Sequence, residues 1–389
     1  MLLPGLVGFT FAFRTCLTVL LFQETPQQAV VLSGVVSLTL LTAAISYSAG
    51  GLPSTAISCF HTRPIRWLTA ILAFALVSIL WSAAPAVSAG GYWVVWAADV
   101  ATIWFLLRGG VAEDQASALM KGFVWGICIV AAVAWIIPAT DDLRLGNLDF
   151  LHPNVIGFLF SIGTFLAIYL TAEKTAWRWP AFFLGMTLLR TLSKSSIAAF
   201  VAAFSFYLIY DSTFSRKAKA RIGLAVGVIF ASLWGVLEVY FNTYAQSTSP
   251  ETLTGRTLIW AASLEYALAK PFLGNGFLAY RYVVPPFGQF QPEQAHDDLL
   301  QQFFSFGAVG LILTIALYWA FFRQIRRAPN SGLKNLAGTL LLFALVHGLT
   351  DAQSADLSFP LWLMTLLSIL LASATQRAEN ATRESPIQE

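Results

Sequence analysis

The chain has 389 residues, 57% of them hydrophobic and 11% charged, with a mean hydropathy of +0.69 and a net charge of +3. Soluble domains carry about 25% charged residues, so the composition excludes a water-soluble globular protein, and the small net charge argues against a nucleic-acid-binding protein. Cys16, Cys59 and Cys128 stand alone in the sequence, which fits neither a disulfide framework nor a metal site.

Apolar runs of about 20 residues predict an all-α integral membrane protein with about twelve transmembrane helices. No cleavage site follows the first run, which is therefore interpreted as a retained span. Residues 1–389 are interpreted as a single polytopic membrane domain with one long polar loop at 242–298 that contains short helices. The predicted spans lie at about 3–22, 28–49, 67–84, 91–108, 119–138, 153–171, 178–193, 195–211, 219–241, 299–322, 333–350 and 358–375.

Two charged residues, Arg14 and Asp99, lie near the middle of predicted spans. Charges within a membrane are costly and are usually paired, so we predict a structural ion pair between them. Further along the chain, Arg190 and Lys194 divide the apolar run from 178 to 211, and Glu238 is a candidate counter-ion for Arg190.

Lysine and arginine are concentrated in every second loop and in the C-terminal tail. Basic residues are retained on the cytoplasmic side, so this bias predicts that both termini are cytoplasmic and that the 242–298 loop is periplasmic. Arg256, Lys270 and Arg281 lie in that loop on the disfavoured side. Binding of a phosphate-bearing ligand would explain their position.

The middle of the long loop has helix signals. Good helix formers run from Arg256 to Ala269, Lys270-Pro271 ends the run, and Gly274-Asn275-Gly276 predicts a turn. This pattern is typical of a helix that lies on the membrane surface. Its predicted apolar face consists of Leu258, Ile259, Ala262 and Tyr266.

Arg256 falls in the first turn of this predicted helix. A cation is unfavourable at the positive end of a helix, so helix stability does not explain it. Free backbone amides together with a guanidinium group form a good anion site. The alternative is a surface arginine that pairs with Glu251 or with a lipid phosphate.

His296 lies at the aqueous end of the next span, followed by Asp297 and Asp298. A histidine in this place can transfer a proton, and an adjacent carboxylate can orient its ring. The alternatives are an interfacial histidine without a role and a weaker metal site, for which no further ligand lies at a recognised spacing.

Two other histidines occupy similar places on the outer side. His152-Pro153-Asn154 opens the span at 153–171, and His347, with Asp351 nearby, ends the span at 333–350. His152-Pro153-Asn154 is interpreted as a capped start of a span, with the alternative that it lines the path of an acceptor, and His347 with Asp351 is interpreted as a similar case.

The order of these motifs resembles that of the O-antigen ligase/polymerase family of bacterial membrane glycosyltransferases. The match covers roughly 189–311, and each motif is weak alone. Asp297 replaces the Asn that usually follows the His, and Lys194 replaces the Arg of many ligases. The Ser-Lys form is closer to the exopolysaccharide-polymerase branch of the family. The matching pieces are Ser193-Lys194, Gly255-Arg256-x-x-x-Trp260, Pro271-x-x-Gly274-x-Gly276, His296 and Gly307-x-x-Gly310.

The resemblance implies an inverting transfer from a glycan linked to undecaprenyl diphosphate, without metal or cofactor. His296 would be the general base, and Arg256 with Lys194, or Arg190 in its place, would hold the diphosphate. Arg281 is a weaker candidate for a glycan or phosphate contact. Trp260 and Asp297 complete the set of predicted substrate-binding residues.

We therefore expect a polymerase of exopolysaccharide or O-antigen repeat units in the bacterial inner membrane. Its acceptor would be a lipid-linked repeat, and a flippase and a chain-length regulator are expected partners. The nearest alternative is a ligase that transfers the glycan to lipid A–core. An alternative of another class is a multi-helix transporter or flippase.

Overall fold

The computed structural model describes residues 2–22, 26–51, 55–137, 144–146, 152–211, 215–221, 223–224, 253–287, 291–352 and 359–384. Regular structure in these residues consists of α-helices and short 3₁₀ turns, which confirms the all-α class. The helices are α1 Leu2–Phe22, α2 Pro26–Gly50, α3 Arg63–Ser78, α4 Ala86–Arg108, α5 Ala112–Ile136, α6 Pro153–Leu170, α7 Arg178–Arg190, α8 Lys194–Tyr210, α9 Leu253–Ala269, α10 Tyr280–Val283, α11 Asp298–Arg327, α12 Gly332–Gly348 and α13 Phe359–Glu384.

Within the described residues, 7 helices are long and apolar enough to cross a membrane, and shorter apolar helices accompany them. The prediction of a multi-pass membrane protein is therefore confirmed. Each predicted span except 219–241 overlaps a described helix. That span lies mostly outside the described residues, as does Glu238.

The predicted ion pair between Arg14 and Asp99 is confirmed. Nη2 of Arg14 lies 2.7 Å from Oδ2 of Asp99, Nη1 lies 3.1 Å from Oδ1, and Asp99 is fully buried. The hydroxyl of Ser37 also donates to Asp99 at 2.7 Å. These hydrogen bonds join α1, α2 and α4. They also supply the donors that a buried carboxylate needs in an apolar bundle.

Removal of one partner of this pair should destabilise the bundle. We expect Arg14→Ala to lower the free energy of unfolding by about 3–5 kcal/mol, because it leaves a buried carboxylate without its counter-charge. The double variant Arg14→Ala/Asp99→Ala should lose less than the sum of the two single variants. Thermal unfolding of the purified protein in detergent measures the cycle, and strictly additive losses would contradict the pairing.

Helix α11 differs from the prediction, which has a continuous span at 299–322. Gly307 adopts φ 63° and ψ −158°, so the helix is broken there. A break frees backbone groups that must be hydrogen-bonded inside a membrane protein. The turn after α9 supplies these bonds. Asn275 N donates to Phe304 O at 2.9 Å, Gly276 N donates to Ser305 O at 2.8 Å, and Ala308 N donates to Pro271 O at 2.8 Å.

Both glycine motifs of the sequence therefore meet at this break. Gly274 has φ +68°, and a Cβ atom there would lie 2.5 Å from backbone atoms of Ser305 and Phe306. The turn is held against α11 by backbone contacts at a distance that only glycine permits. It fixes the segment between α9 and α11, on which His296 lies.

We expect Gly274→Ala to lower the stability of the fold by about 2–5 kcal/mol, because it combines an unfavourable φ with an overpacked contact. The matched control is Gly34→Ala in α2, where nothing lies within 4 Å of the added Cβ atom. The control should be neutral or slightly stabilising. Yield and melting temperature in detergent test both variants, and equal effects at the two positions would contradict the role of the turn.

Helix α9 is present, but its buried face differs from the predicted one. Ile259, Ser263 and Ala267 are buried at four-residue intervals, so the buried face includes Ile259 of the predicted apolar face but not Leu258, which is 58% exposed. The Ser263 hydroxyl lies 2.6 Å from that of Tyr280, and α9 packs on α11. The helix is therefore anchored to the bundle along a mixed face, and its outward leucines are free to contact lipid.

Candidate active site

The site forms where three segments meet at one end of the bundle. These are the first turns of α9, the residues before α11, and the residues that follow α12. They bring together His296, Asp351 and Arg256, which are far apart in the sequence. His296 and Arg256 are the predicted catalytic pair, and the sequence indicated Asp351 only as a neighbour of His347.

His296 faces the carboxylate of Asp351. Its Nδ1 lies 3.5 Å from Oδ1 of Asp351, which is longer than a strong hydrogen bond, so the two groups form an ion pair only when the imidazole is protonated. Asp351 Oδ1 also accepts from Gln294 Nε2 at 2.9 Å and from Ala352 N at 3.0 Å. These two donors hold the carboxylate in one orientation. The carboxylate in turn orients the imidazole ring so that Nδ1 faces Asp351.

The charge state of Asp351 follows from its surroundings. Burial alone would raise the pKa of this carboxyl. The interaction with His296 and the charges of His347 and Arg256 outweigh burial, and the net pKa is well below its usual value. Asp351 is therefore ionised at neutral pH although its side chain is fully buried. A fixed negative charge stabilises a neighbouring imidazole once it has accepted a proton.

The backbone at His296 is in the left-handed region, with φ 52°. This conformation is uncommon for a residue with a Cβ atom and costs of order 1–3 kcal/mol. Leu192, which directly precedes the Ser193-Lys194 motif, has φ 51°. Such backbone strain is concentrated at functional sites, and here it occurs in two of the segments that the motifs single out.

Arg256 is in the first turn of α9, as predicted. Its Nη1 donates to the carbonyl oxygen of Thr350, so the side chain points toward the residues after α12. Its Nε is buried and has no acceptor within the described residues, and the same holds for Nε1 of Trp260, one turn later. Buried donors without acceptors are rare and call for an explanation. The alternative partner Glu251 lies outside the described residues.

The Ser193-Lys194 motif forms the turn between two short helices. Helix α7 has 13 residues and α8 has 17, about 20 Å and 25 Å, and each is shorter than the hydrocarbon core of about 30 Å. The turn is therefore recessed into the bundle rather than extended into water. Lys194 is the first residue of α8 and Arg190 the last of α7, so the chain divides between them as predicted.

A buried polar cluster supports this turn. Asn154 Oδ1 accepts from Arg144 Nη2 and from the Ser193 hydroxyl, both at 3.0 Å. Arg144 Nε also donates to the carbonyl of Thr191 at 3.4 Å. His152 caps α6, its Nδ1 accepting from Asn154 N at 3.3 Å. The interpretation of His152-Pro153-Asn154 as a capped helix start is therefore confirmed.

The turn and the His296 site are connected through α12. The Ser196 hydroxyl lies 3.0 Å from that of Ser193 and 3.2 Å from Nε2 of His347. The carbonyl of His347 accepts from Asp351 N at 3.0 Å. The two segments that carry predicted cations are thus linked by a short chain of buried polar groups.

Two predicted substrate-binding residues have local partners. Arg281 forms an ion pair with Glu293, with 3.2 Å between Nη2 and Oε2. Asp297 caps α11 because its Oδ1 accepts from Leu300 N at 2.8 Å. Burial raises the pKa of Asp297 in spite of this hydrogen bond and one from Leu299. Asp and Asn are both good capping residues, so the departure from the family pattern at 297 keeps the helix start.

Sequence reasoning missed Gln294, Thr350 and Ser196. Gln294 and Thr350 act through contacts that bring separate segments together, and no local pattern marks them. Ser196 lies two residues after Lys194, on the first turn of α8, and that spacing was the only available signal.

Comparison with known proteins agrees with the motif series. Residues 179–315 match the model of the protein family described as O-Antigen ligase. The chain is similar to the exopolysaccharide production protein ExoQ of Rhizobium meliloti, with 25% identity over 67% of this chain and 65% of that protein. It is also similar to the O-antigen ligase of Pseudomonas aeruginosa, with 29% identity over 44% of this chain and 40% of that protein.

The chain thus spans less than two thirds of the length of either relative. The family match begins in α7 and ends in α11, so it contains the Ser-Lys turn, Arg256, the glycine turn and His296. Asp351 lies beyond it. Residues 179–315 of this chain therefore match the O-antigen ligase family model, in agreement with the resemblance of its motifs.

Proposed function

We propose that this protein is a membrane glycosyltransferase that polymerises glycan repeat units carried on undecaprenyl diphosphate. The family match and the similarity to proteins named for exopolysaccharide production and O-antigen ligation support the enzyme class. The reaction is inverting and needs neither a metal ion nor an organic cofactor. The site opens to the periplasm from the bacterial inner membrane, and both termini are cytoplasmic.

One observation carries the proposal: buried donors without acceptors lie in the first turns of α9, where Arg256 contacts Thr350, next to the carboxylate of Asp351 that faces His296. Arg256 Nε and Trp260 Nε1 are buried without an acceptor in the described part of the chain. His296 is 16% exposed and lies against Asp351. A ligand that brings phosphate and sugar oxygens would satisfy these donors and place its reacting carbon near His296.

His296 is the general base. With Nδ1 facing Asp351, Nε2 is the nitrogen that takes the proton from the acceptor hydroxyl. The hydroxyl oxygen attacks the anomeric carbon of the donor, and the bond from that carbon to the diphosphate oxygen breaks. The leaving diphosphate takes the electron pair, while Asp351 stabilises the imidazolium that forms.

Arg256 and Lys194 hold the diphosphate. Each lies in the first turn of a helix, α9 and α8 respectively, where backbone amides and the helix dipole also favour an anion. Charge grows on the leaving diphosphate in the transition state, so fixed cations lower the barrier. Arg190 ends α7, where the helix dipole favours a cation by itself, and Arg281 is paired with Glu293. These two residues are therefore less suited to the role.

Polymerisation is favoured over ligation by the extent of the similarity. It covers 67% of the chain for the exopolysaccharide production protein and 44% for the O-antigen ligase. The acceptor is then a second lipid-linked repeat rather than lipid A–core. A flippase that delivers the donor and a regulator of chain length are the expected partners in the membrane.

A transporter or flippase is the candidate of another class. Broken helices are typical of transporter sites, and α11 is broken at Gly307. The backbone groups at this break, however, are hydrogen-bonded to Pro271, Asn275 and Gly276, so they are not available to a substrate. The break therefore supports a sealed structural joint rather than a transport site.

Reconstitution of the full chain tests the proposal. Purified protein in liposomes receives undecaprenyl diphosphate-linked repeats, with or without lipid A–core and with a chelator present throughout. We expect a ladder of longer lipid-linked chains in the absence of lipid A–core. Product formed only with lipid A–core would show that the protein is a ligase rather than a polymerase. A folded protein that forms neither product would contradict the proposal that it is a glycosyltransferase.

A further inference from the structure

A cavity with basic residues in its wall lies at the opposite end of the bundle from His296. It has a volume of about 610 Å³ and is enclosed by the start of α3, the end of α11 and the later part of α13. Asp298 starts α11 near His296, and Arg323 lies beyond the break at Gly307, after about 23 Å of unbroken helix from Ala308. The cavity is therefore separate from the proposed active site.

The cavity is basic. Arg63, Arg323 and Arg327 line it, with Glu379 as the only carboxylate among the residues of its wall. The structure shows no hydrogen bond or ion pair of these three guanidinium groups within the described residues. Charges of one sign that line one cavity repel one another, so a bound anion would be favourable there.

Helix α3 adds to the positive potential. Its N-cap residue Thr62 and its first residues Arg63 and Pro64 line the cavity, and Thr62 makes no side-chain capping bond. The hydroxyl of Thr62 instead lies 2.6 Å from that of Ser368 in α13. The positive end of a 16-residue helix thus lies in the wall without a side-chain acceptor.

Two tryptophans border the same cavity. Trp67 is 38% exposed and Trp319 is 58% exposed. Amphipathic rings of this type lie at the level of lipid headgroups. Basic pockets between transmembrane helices at that level bind phosphate-bearing lipid headgroups, and a volume of several hundred Å³ fits one headgroup.

We propose that this cavity is a binding site for a phosphate group with at least two negative charges, held by Arg63, Arg323 and Arg327 at the start of α3. An anionic lipid and a free phosphate compound share this chemistry. Occupation of the site ties α3, α11 and α13 together. Since α11 also carries the break that docks the glycine turn, the ligand stabilises the bundle that positions His296.

Thermal unfolding of the full chain in detergent tests the site. Dioctanoyl phosphatidate and inorganic diphosphate are titrated separately. We expect the melting temperature to rise by about 2–4 °C near saturation. In Arg323→Gln and Arg327→Gln, half-saturation should need at least tenfold more ligand.

Arg326→Gln is the matched control. It removes the same charge from the same end of α11, but Arg326 lies over the ring of Phe322, 5.9 Å from its centroid, and is not part of the cavity wall. It should bind as the wild type does. A shift with phosphatidate alone supports the site with a lipid as the source, and a shift with diphosphate supports it with a free anion.

The proposal is overturned if neither compound shifts the wild type, or if Arg326→Gln weakens binding as much as Arg323→Gln. The second outcome would mean that general surface charge attracts the anion. The readout is binding and not glycan synthesis, so its failure is independent of the proposed polymerase activity.

Discussion

His296→Ala should abolish chain extension while the protein still folds. Loss of a general base typically lowers the rate by about 10²–10⁴-fold, because the acceptor hydroxyl must then lose its proton to water as it attacks. The side chain of His296 is 16% exposed, and its contact with Asp351 is 3.5 Å long. Its removal therefore breaks no strong hydrogen bond within the described residues, and we expect a protein that still folds, with a melting temperature lowered by the loss of a mostly buried ring.

Two further variants sharpen this experiment. His296→Asn keeps a residue that tolerates the left-handed backbone found at 296, with φ 52°, so its loss of activity cannot be attributed to backbone strain. His61→Ala is the matched control, because His61 is exposed and precedes α3, at the other end of the bundle. Initial rates of lipid-linked product, measured by gel at equal amounts of folded protein, decide the matter.

The proposed base would be wrong if His296→Asn retained more than about a tenth of the wild-type rate, since the expected loss is at least about 10²-fold. Asp351→Asn adds a separate readout. As a positioning residue, Asp351 should lower the maximal rate more than it raises the half-saturating donor concentration, because the charge it stabilises exists only after proton transfer.

Local patterns were sufficient to predict the class of the fold. The length of an apolar run decides whether a segment can cross a membrane, and this property is readable without knowledge of its neighbours. The Arg14–Asp99 pair could be predicted for a related reason. Two opposite charges near mid-span have few other partners in an apolar bundle, and the structure joins them at 2.7 Å.

Features that depend on long-range contacts could not be predicted in the same way. The break at Gly307 needs the turn at 271–276 to accept and donate its freed hydrogen bonds. The apolar sequence around it predicts only a continuous helix. The face of α9 differs for the same reason, since Ser263 is buried by its contact with Tyr280 rather than by its own hydrophobicity.

In the candidate site, too, some residues could be predicted from local sequence and others depend on long-range contacts. Arg256 and His296 were predicted because each is a polar residue in a place that its own segment does not explain. The sequence marked Asp351 only as a neighbour of His347, and it did not mark Gln294. The roles of both residues arise from a hydrogen bond between two loops, in which Gln294 Nε2 donates to Asp351 Oδ1 at 2.9 Å. A sequence shows that a polar residue lies where local helix stability does not explain it. It does not show which distant residue is its partner.

Replacement of Arg256 should have the second-largest effect on the reaction. Removal of one group that stabilises developing charge typically costs about 10²–10³-fold in rate, and we expect Arg256→Gln to fall in this range. Gln keeps an amide donor toward the carbonyl of Thr350, which Arg256 contacts through Nη1. The substitution therefore removes the positive charge and the buried Nε donor with limited structural damage.

Arg256→Lys separates charge from geometry. Lysine keeps the positive charge but offers no planar fork for two oxygens of one phosphate. We expect it to recover only part of the loss in Arg256→Gln. Arg281→Gln is the matched control, because the Arg281 guanidinium pairs with Glu293 at 3.2 Å in the same loop region, and it should lower the rate less than Arg256→Gln.

The kinetic signature distinguishes a role in the reaction from a role in donor binding. Negative charge on the diphosphate increases as its bond to the sugar breaks, so Arg256 contacts the transition state more strongly than the bound donor. The maximal rate should therefore fall by more than the half-saturating donor concentration rises. An Arg256→Gln protein that is folded and works within threefold of wild type would exclude Arg256 as the group that holds the leaving diphosphate, and the buried donors of Arg256 and Trp260 would then need a different explanation.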